Sequence, residues 1–434
     1  MTPVETGFLG LAVMGLLLFT GMPIGVAMAL SGFVGFVLVS GMEPALGLLM
    51  TVPYSSAASY TLSVVPLFVL MGELAFHSGI SQDLYKMAYR WLGHLPGGLA
   101  MATIGAGAAF GAMCGSSAAA TATFGSVALP EMRKFKYTPG FAAATVSAAG
   151  TLAIMIPPST VFILYGVMTQ QSVGKLFMAG IIPGIVLALM YCATIFVLAK
   201  RNPAMAPAGP RATMAERLES MGGAWPMVVL FIGVMGGLWV GVFSATEAGA
   251  IGAFGALLFM IWRRQFTIRN FMSCLTSTAN ITAMIFLIII GANIFSTFLA
   301  VTDTPQTIAD WLAQLPVPPE GLIIGILVLY FILGWFMEEL SMVVLTTPLF
   351  FPVIQQLGFN PIWYGVMVVI AVQQGQMTPP VGLNINIICG MAKDIPTLEI
   401  FRWVTVPYVI VLFAFMLVMI AFPQLALFIP NMMR

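Results

Sequence analysis

The stretch Met377-Thr378-Pro379-Pro380-Val381-Gly382-Leu383-Asn384 lies in the middle of an apolar run from Trp363 to Ile388. Two adjacent prolines remove two backbone donors and clash with the preceding turn, so a helix entering this stretch has to break and leave carbonyls without partners. In hydrocarbon each orphaned group is costly unless the break lines a polar cavity or binds something. Thr378, Gly382 and Asn384 place small or polar atoms at that point.

The same device occurs earlier, as Ile156-Pro157-Pro158-Ser159 inside the apolar run from Phe141 to Met168. Pro158 and Pro380 lie 222 positions apart, and the offset holds elsewhere: Pro130 maps to Pro352, and Pro139, which opens the first broken run, maps to Pro361, which opens the second. Without gaps, the apolar runs near 24–40, 61–78 and 175–199 fall on 246–262, 283–300 and 397–421. The chain reads as two copies of one unit, 1–199 and 225–434, joined by a cytoplasmic linker over 200–224 whose polar part is Lys200 to Glu219.

Composition sets the class. Over 434 residues, 60% are hydrophobic and 7% charged, and the mean hydropathy is +1.02. Soluble chains carry about 25% charged residues. This chain is a polytopic helical membrane protein, because runs of about 20 apolar residues span the hydrocarbon core. No basic residue precedes the first apolar run and no small-residue cleavage pattern follows it, so Gly7 to Phe19 reads as a retained helix. Cys114, Cys192, Cys274 and Cys389 have no paired spacing, which argues against disulfides and a metal cluster.

In the first copy the pattern predicts helices near 6–20, 23–40 and 61–77 and an interfacial helix over 81–95. A re-entrant hairpin over 98–132 follows, with its tip at Cys114 to Ser117. Each arm is about 16 residues, or about 24 Å of helix, too short to cross comfortably. The broken helix over 139–171 and a long helix over 175–198 complete the copy. The second copy repeats the order: helices near 226–243, 246–262 and 273–300, an interfacial stretch over 303–315, and a hairpin over 321–351 with its tip near Met337-Glu338-Glu339. The broken helix over 361–392 and a last helix over 404–422 close the chain.

With the linker in the cytoplasm, 14 of the 16 Lys and Arg residues fall inside, leaving Lys175 and Arg434 outside. Five full crossings per copy then give the copies opposite orientation and place both termini in the periplasm. Inverted-topology repeats with discontinuous helices are the mark of secondary transporters, with binding sites near the midplane.

A sodium ion takes several oxygen ligands, and unwound carbonyls together with Ser, Thr or Asn side chains supply them. Facing a hairpin tip against a break brings both kinds of oxygen together. In the first copy this pairs Gly115, Ser116 and Ser117 with Thr151, Pro157 and Ser159; in the second it pairs Met337, Glu338 and Glu339 with Thr378, Pro379, Gly382 and Asn384. The helix halves that start at the breaks aim their N-terminal dipoles inward, which suits a carboxylate. Close helix packing is the competing explanation for the small residues. Glu338 and Glu339 read as cation-binding or gating groups. Glu73 and Glu247 read as helix-end or interfacial groups, and Glu131 as the partner of Arg133 or Lys134. Gln373, Gln374 and Gln376 either line a substrate path or bond one another. No Ser-His, paired-Asp or metal-ligand spacing lies in the apolar segments, and no phosphate-binding Gly-Lys-Ser/Thr motif implies ATP use, so the chain does not read as an enzyme.

These segments resemble the large membrane subunit of tripartite ATP-independent periplasmic (TRAP) transporters. The resemblance rests on Gly111-Ala112-Met113-Cys114-Gly115-Ser116-Ser117, Ile156-Pro157-Pro158-Ser159, Gly180-Ile181-Ile182-Pro183-Gly184 and Thr378 to Asn384, and it covers essentially the whole chain. It implies an elevator-type carrier in the bacterial inner membrane, driven by a sodium gradient. It also implies two partners, a small four-helix membrane subunit and a periplasmic binding protein that delivers an organic acid such as a C4-dicarboxylate or sialic acid. The chain departs from the family pattern at Cys114, where Ser is frequent, at Glu338, where Asp is frequent, and at Gln373, where Glu is common. A self-sufficient sodium- or proton-coupled carboxylate carrier and an ion channel are the other readings of the same architecture.

Overall fold

The computed structural model describes residues 1–433 and is helical, with no strand among them. The outside placement expected for Arg434 lies beyond the described residues. The first half comprises α1 (Pro3–Phe19), α2 (Ile24–Ser40), α3 (Met42–Ala57), α4 (Val64–His77), α5 (Ile80–Leu92), α6 (Gly98–Cys114), α7 (Ser117–Lys134), α8 (Pro139–Thr151), α9 (Thr160–Thr169) and α10 (Val173–Arg201). The second half comprises α11 (Met214–Val240), α12 (Ala245–Trp262), α13 (Ile268–Val301), α14 (Thr304–Ala313), α15 (Pro319–Leu333), α16 (Glu339–Gln356), α17 (Pro361–Met377), α18 (Leu383–Met391), α19 (Thr397–Val404), α20 (Ile410–Ala421) and α21 (Gln424–Met432). One π-helical turn over Thr405–Val409 joins α19 to α20, so the chain is helical without a gap from Thr397 to Ala421. Among the described residues, six continuous helices of 18 or more residues are apolar enough to cross a bilayer.

The segments read as hairpins are occupied by the helix pairs α6–α7 and α15–α16, and α16 starts 222 positions after α7. Three boundaries differ from expectation. Helix α3 is unexpected, because Thr51, Pro53, Ser55 and Ser56 interrupt its apolar run; Pro53 sits inside it all the same. Helix α21 is likewise additional to the expected set. The linker is irregular only from 202 to 213, because Thr213 and Glu216 form a capping box that starts α11 well before the expected 226.

Small residues set the closest helix approaches. A Cβ on Gly25 of α2 would fall 2.6 Å from the Leu287 carbonyl of α13, and one on Gly291 would collide with the Gly25 carbonyl. Helix α5 is amphipathic and tied down by charge: Arg90 pairs with Glu216 at 3.1 Å, and Arg263 pairs with Asp83 and donates to the Gly223 carbonyl at 2.6 Å. The linker is strapped across this end by main-chain bonds. Gly97 N–H donates to the Ala206 carbonyl at 3.1 Å, Thr138 N–H to Met205 at 3.0 Å and Gly209 N–H to Gly93 at 2.7 Å. Met205 and Ala206 are buried there.

Candidate functional site

The prolines break each helix differently. Helix α8 ends at Thr151, runs through one 3-10 turn over Leu152–Ile154, and resumes as α9 only at Thr160, capped by Ser159. Helix α17 holds its geometry to Met377, and α18 resumes at Leu383 with no side-chain cap. Both Pro–Pro peptides are cis.

The first tip lies against the first break through Gly115. The Gly115 carbonyl accepts from the Thr160 hydroxyl at 3.0 Å. Gly115 has φ +63°, and a Cβ there would come within 2.6 Å of the Pro158 carbonyl oxygen, so both backbone conformation and space call for glycine. Ser116 caps α7, and Ser159 is buried at the opposite wall. Pro157 lies in the buried break itself.

Ser117 and Thr151, by contrast, are held by the second half of the chain. Asn384 Nδ2 donates to Ser117 Oγ at 2.8 Å and to the Ser147 carbonyl at 3.4 Å, and Gln373 Nε2 donates to the Thr151 carbonyl at 2.6 Å. This corrects the expectation that Asn384 joins Met337, Glu338 and Glu339. The reason is topological: α18 lies against α7 and α8, while α9 lies against α16, so each second half-helix crosses to the hairpin of the other half. Gln376, not Asn384, meets the second tip, donating to the Glu339 carboxylate.

At that tip Glu338 is the N-cap of α16, its carboxylate accepting from the amides of Leu340 at 3.0 Å and Ser341 at 3.1 Å. Thr378 donates its hydroxyl to the Gln374 carbonyl of its own helix at 2.8 Å. Gly382 has φ +54°, Pro379 is exposed, and Met337 is half-buried against the core. The three glutamines do not bond one another.

The interlocked centre leaves oxygens without donors. Ser117, Thr121, Ser147, Thr151, Gln373 and Asn384 are fully buried. Of these, Thr121 Oγ1, Ser147 Oγ, Gln373 Oε1 and Asn384 Oδ1 have no hydrogen-bond partner among the described residues. Both Gln374 side-chain polar atoms and Gln376 Oε1 are also unpartnered. Buried acceptors are normally satisfied, so this cluster calls for a ligand with positive charge or donors. Thr121, Ser147, Gln373, Gln374 and Gln376 lie outside the two residue sets that the sequence assigns to the sites. The sequence does single out the three glutamines as possible path residues, and Gln373 lies 222 positions from Thr151, which it contacts.

A cavity of about 370 Å³ opens between the two tips. Its walls include Glu73 from α4, Cys114 and Ser116 from the first tip, Thr160, and Glu338 and Glu339 from the second. Glu73 is therefore a cavity residue, correcting the helix-end reading; its carboxylate accepts from the Ser277 hydroxyl at 2.7 Å. Glu247 does cap a helix, forming a capping box with Ser244. Glu131 pairs with Lys134 at 2.6 Å, whereas Arg133 reaches Asp394 at 2.8 Å. That hydrogen bond holds the Asp394 carboxyl below the usual carboxylate range.

The family model described as "Tripartite ATP-independent periplasmic transporter, DctM component" matches residues 11–425. The chain belongs to this family. Among its relatives, a C4-dicarboxylate TRAP transporter large permease protein of Pseudomonas aeruginosa is 34% identical over 381 residues, covering 87% of this chain and 88% of that one. A sialic acid TRAP transporter large permease protein of Vibrio cholerae is 30% identical over 417 residues, covering 96% of each. In overall fold this TRAP large subunit is similar to the Neisseria gonorrhoeae MtrF structure, with a TM-score of 0.62 at 15% identity over 97% of this chain and 94% of that one. As the large permease of a transporter, the chain is a carrier subunit and not an enzyme.

Proposed function

We propose that this TRAP large subunit imports an organic acid at the expense of a sodium gradient, with sodium held where the hairpin tips and helix breaks interlock. The observation that carries this is the set of buried acceptors without donors, Thr121 Oγ1, Ser147 Oγ, Gln373 Oε1 and Asn384 Oδ1. Neutral amide and hydroxyl oxygens in a dry site suit a hard monovalent cation, and they avoid the cost of a second buried charge. At the second tip Glu339, Gln374, Gln376 and Thr378 offer a comparable oxygen set. When bound, sodium would supply the driving gradient and neutralise part of the substrate's charge; the chain's own residues orient the oxygens and exclude water.

In this reading the halves are inverted repeats with both termini in the periplasm. The hairpins and broken helices slide as one unit against a scaffold drawn from α1–α2 and α11–α12, in the bacterial inner membrane. A small four-helix membrane subunit supports the scaffold, and a periplasmic binding protein delivers the acid. Carboxylate substrates named for the relatives above support this substrate class. No ATP is consumed.

The test is the unfolding temperature of the detergent-purified chain in sodium, potassium and choline chloride at matched ionic strength. A ligand at about 100-fold its dissociation constant adds about 2.7 kcal/mol to the folded state. Sodium-selective stabilisation that Ser117→Ala or Asn384→Ala abolishes is the expected result. An identical response to all three salts would refute sodium coupling.

A further inference from the structure

A second cavity lies away from the tips and breaks, at the end of the molecule that the linker straps. It holds about 300 Å³ between α5 and the first hairpin, and its walls include Tyr85, Lys86 and Arg90 from α5, Leu99 from α6, and Val127 and Glu131 from α7. Lys86 and Arg90 stand four residues apart and therefore share one face of α5.

The acidic groups beside this cavity are already engaged. Glu131 pairs with Lys134 at 2.6 Å, and Glu216 of α11 serves both Arg90, at 3.1 Å, and its own capping box with Thr213. Lys86 is exposed, and its ammonium makes no ion pair among the described residues. Below it Tyr85 is only 5% exposed, and its hydroxyl is buried without a partner. A buried donor of this kind calls for an acceptor. The cavity thus joins an uncompensated cation and an unspent donor to the apolar side chains of Leu99 and Val127. Helix α5 is amphipathic and carries an exposed Trp91, as suits a helix at the level of lipid headgroups.

A wall that is charged on one side and apolar on the other matches an amphiphile whose charge sits at the join. We propose that this cavity binds an anionic phospholipid. The phosphate lies at Lys86 and Arg90, the Tyr85 hydroxyl donates from the floor, and the acyl chains leave past Leu99 and Val127. A zwitterionic headgroup is disfavoured, because its own ammonium competes with Lys86 for the phosphate and the nearest carboxylate, Glu131, is held by Lys134. The lipid bridges two parts of the molecule: α5 is tied to α11 and α12 through Arg90–Glu216 and Asp83–Arg263, whereas Leu99 and Val127 belong to the hairpin. It shares no residue with the cation sites proposed above.

The experiment measures the unfolding temperature of the full chain, delipidated in a neutral detergent, against dioctanoyl phosphatidylglycerol, dioctanoyl phosphatidylcholine and inorganic phosphate. Phosphatidylglycerol is expected to stabilise at a concentration at least about fivefold below phosphatidylcholine, and inorganic phosphate at matched concentration to have no effect. Lys86→Gln should shrink the ratio of the two lipids toward one, Lys86→Arg should keep it, and Lys175→Gln, distant in sequence from the site, should leave it unchanged. Equal potency of the two lipids on the wild type, or an unchanged ratio in Lys86→Gln, overturns the proposal. Stabilisation by inorganic phosphate equal to that by phosphatidylglycerol also overturns it, in favour of a free-anion site, and a ratio lost equally in Lys175→Gln overturns it in favour of diffuse charge attraction.

Discussion

The two Pro–Pro breaks share a motif and differ in what surrounds them. From Leu152 to Ser159 every residue of the first break is buried, whereas Pro379, Pro380 and Val381 of the second are exposed. The difference lies in the neighbouring helix. Gly180 of α10 approaches so closely that a Cβ would collide with the Met155 carbonyl, and one on Gly184 would fall 2.5 Å from Ile156 Cγ1. The corresponding positions, 222 residues on, are Arg402 and Val406, and both are exposed. A break in a membrane helix is thus core or open mouth according to the residues packed beside it, not according to the prolines that make it.

The largest expected effect tests that contrast directly. Gly180→Val should destabilise the chain by about 3 kcal/mol through overpacking against the first break. Val406→Ala, at an exposed position, should stay within about 0.5 kcal/mol. Equal losses in chemical denaturation would break the comparison. A smaller effect sharpens it at Gly115 and Gly382, both left-handed. Gly115→Ala adds a clash with the Pro158 carbonyl to the backbone strain and should cost about 2 kcal/mol or more. Gly382→Ala has its nearest neighbours at 3.2 Å or beyond and should cost about 1 kcal/mol, mostly strain.

The smallest effect concerns the outer joint. Arg133 pairs with Asp394, while the positions related to them by the same offset are the neutral Gln355 and Ser172. Because the folded state lowers the Asp394 pKa, its contribution is present above the unfolded value of about 3.9 and is lost as pH falls through the folded value. The unfolding temperatures of wild type and Asp394→Asn should therefore differ by a small, constant amount from about pH 5 to 8 and converge in more acidic solution. A gap that widens on acidification would contradict the assignment.

Much of this is legible in the sequence. Gly115-Ser116-Ser117 and the Pro–Pro pairs are local punctuation, and local chemistry places the hairpin tips and breaks to within a few residues. Helix α3 escapes because a membrane helix tolerates Pro53 and several hydroxyls that read as a loop. The crossing of α18 to the first hairpin escapes for another reason. Asn384 carries no mark of whether Ser117 or Glu338 will be its neighbour, since that depends on how two hairpins and two broken helices interlock in space. The charge of the cavity is half visible: Glu338 and Glu339 stand out, but Glu73 becomes a wall residue only through the packing of α4.

The strap that the linker forms across its end of the molecule is written in main chain. Gly97 to Ala206, Thr138 to Met205 and Gly209 to Gly93 are amide-to-carbonyl bonds, indifferent to which side chains the residues carry. Such a seam can drift in sequence while its path stays fixed, with exceptions where bulk intrudes, as at Gly209, whose Cβ would lie 3.0 Å from the Gly93 carbonyl. Sequence comparison would then rank the linker among the most variable parts of the chain, although it holds the ends of several helices in place.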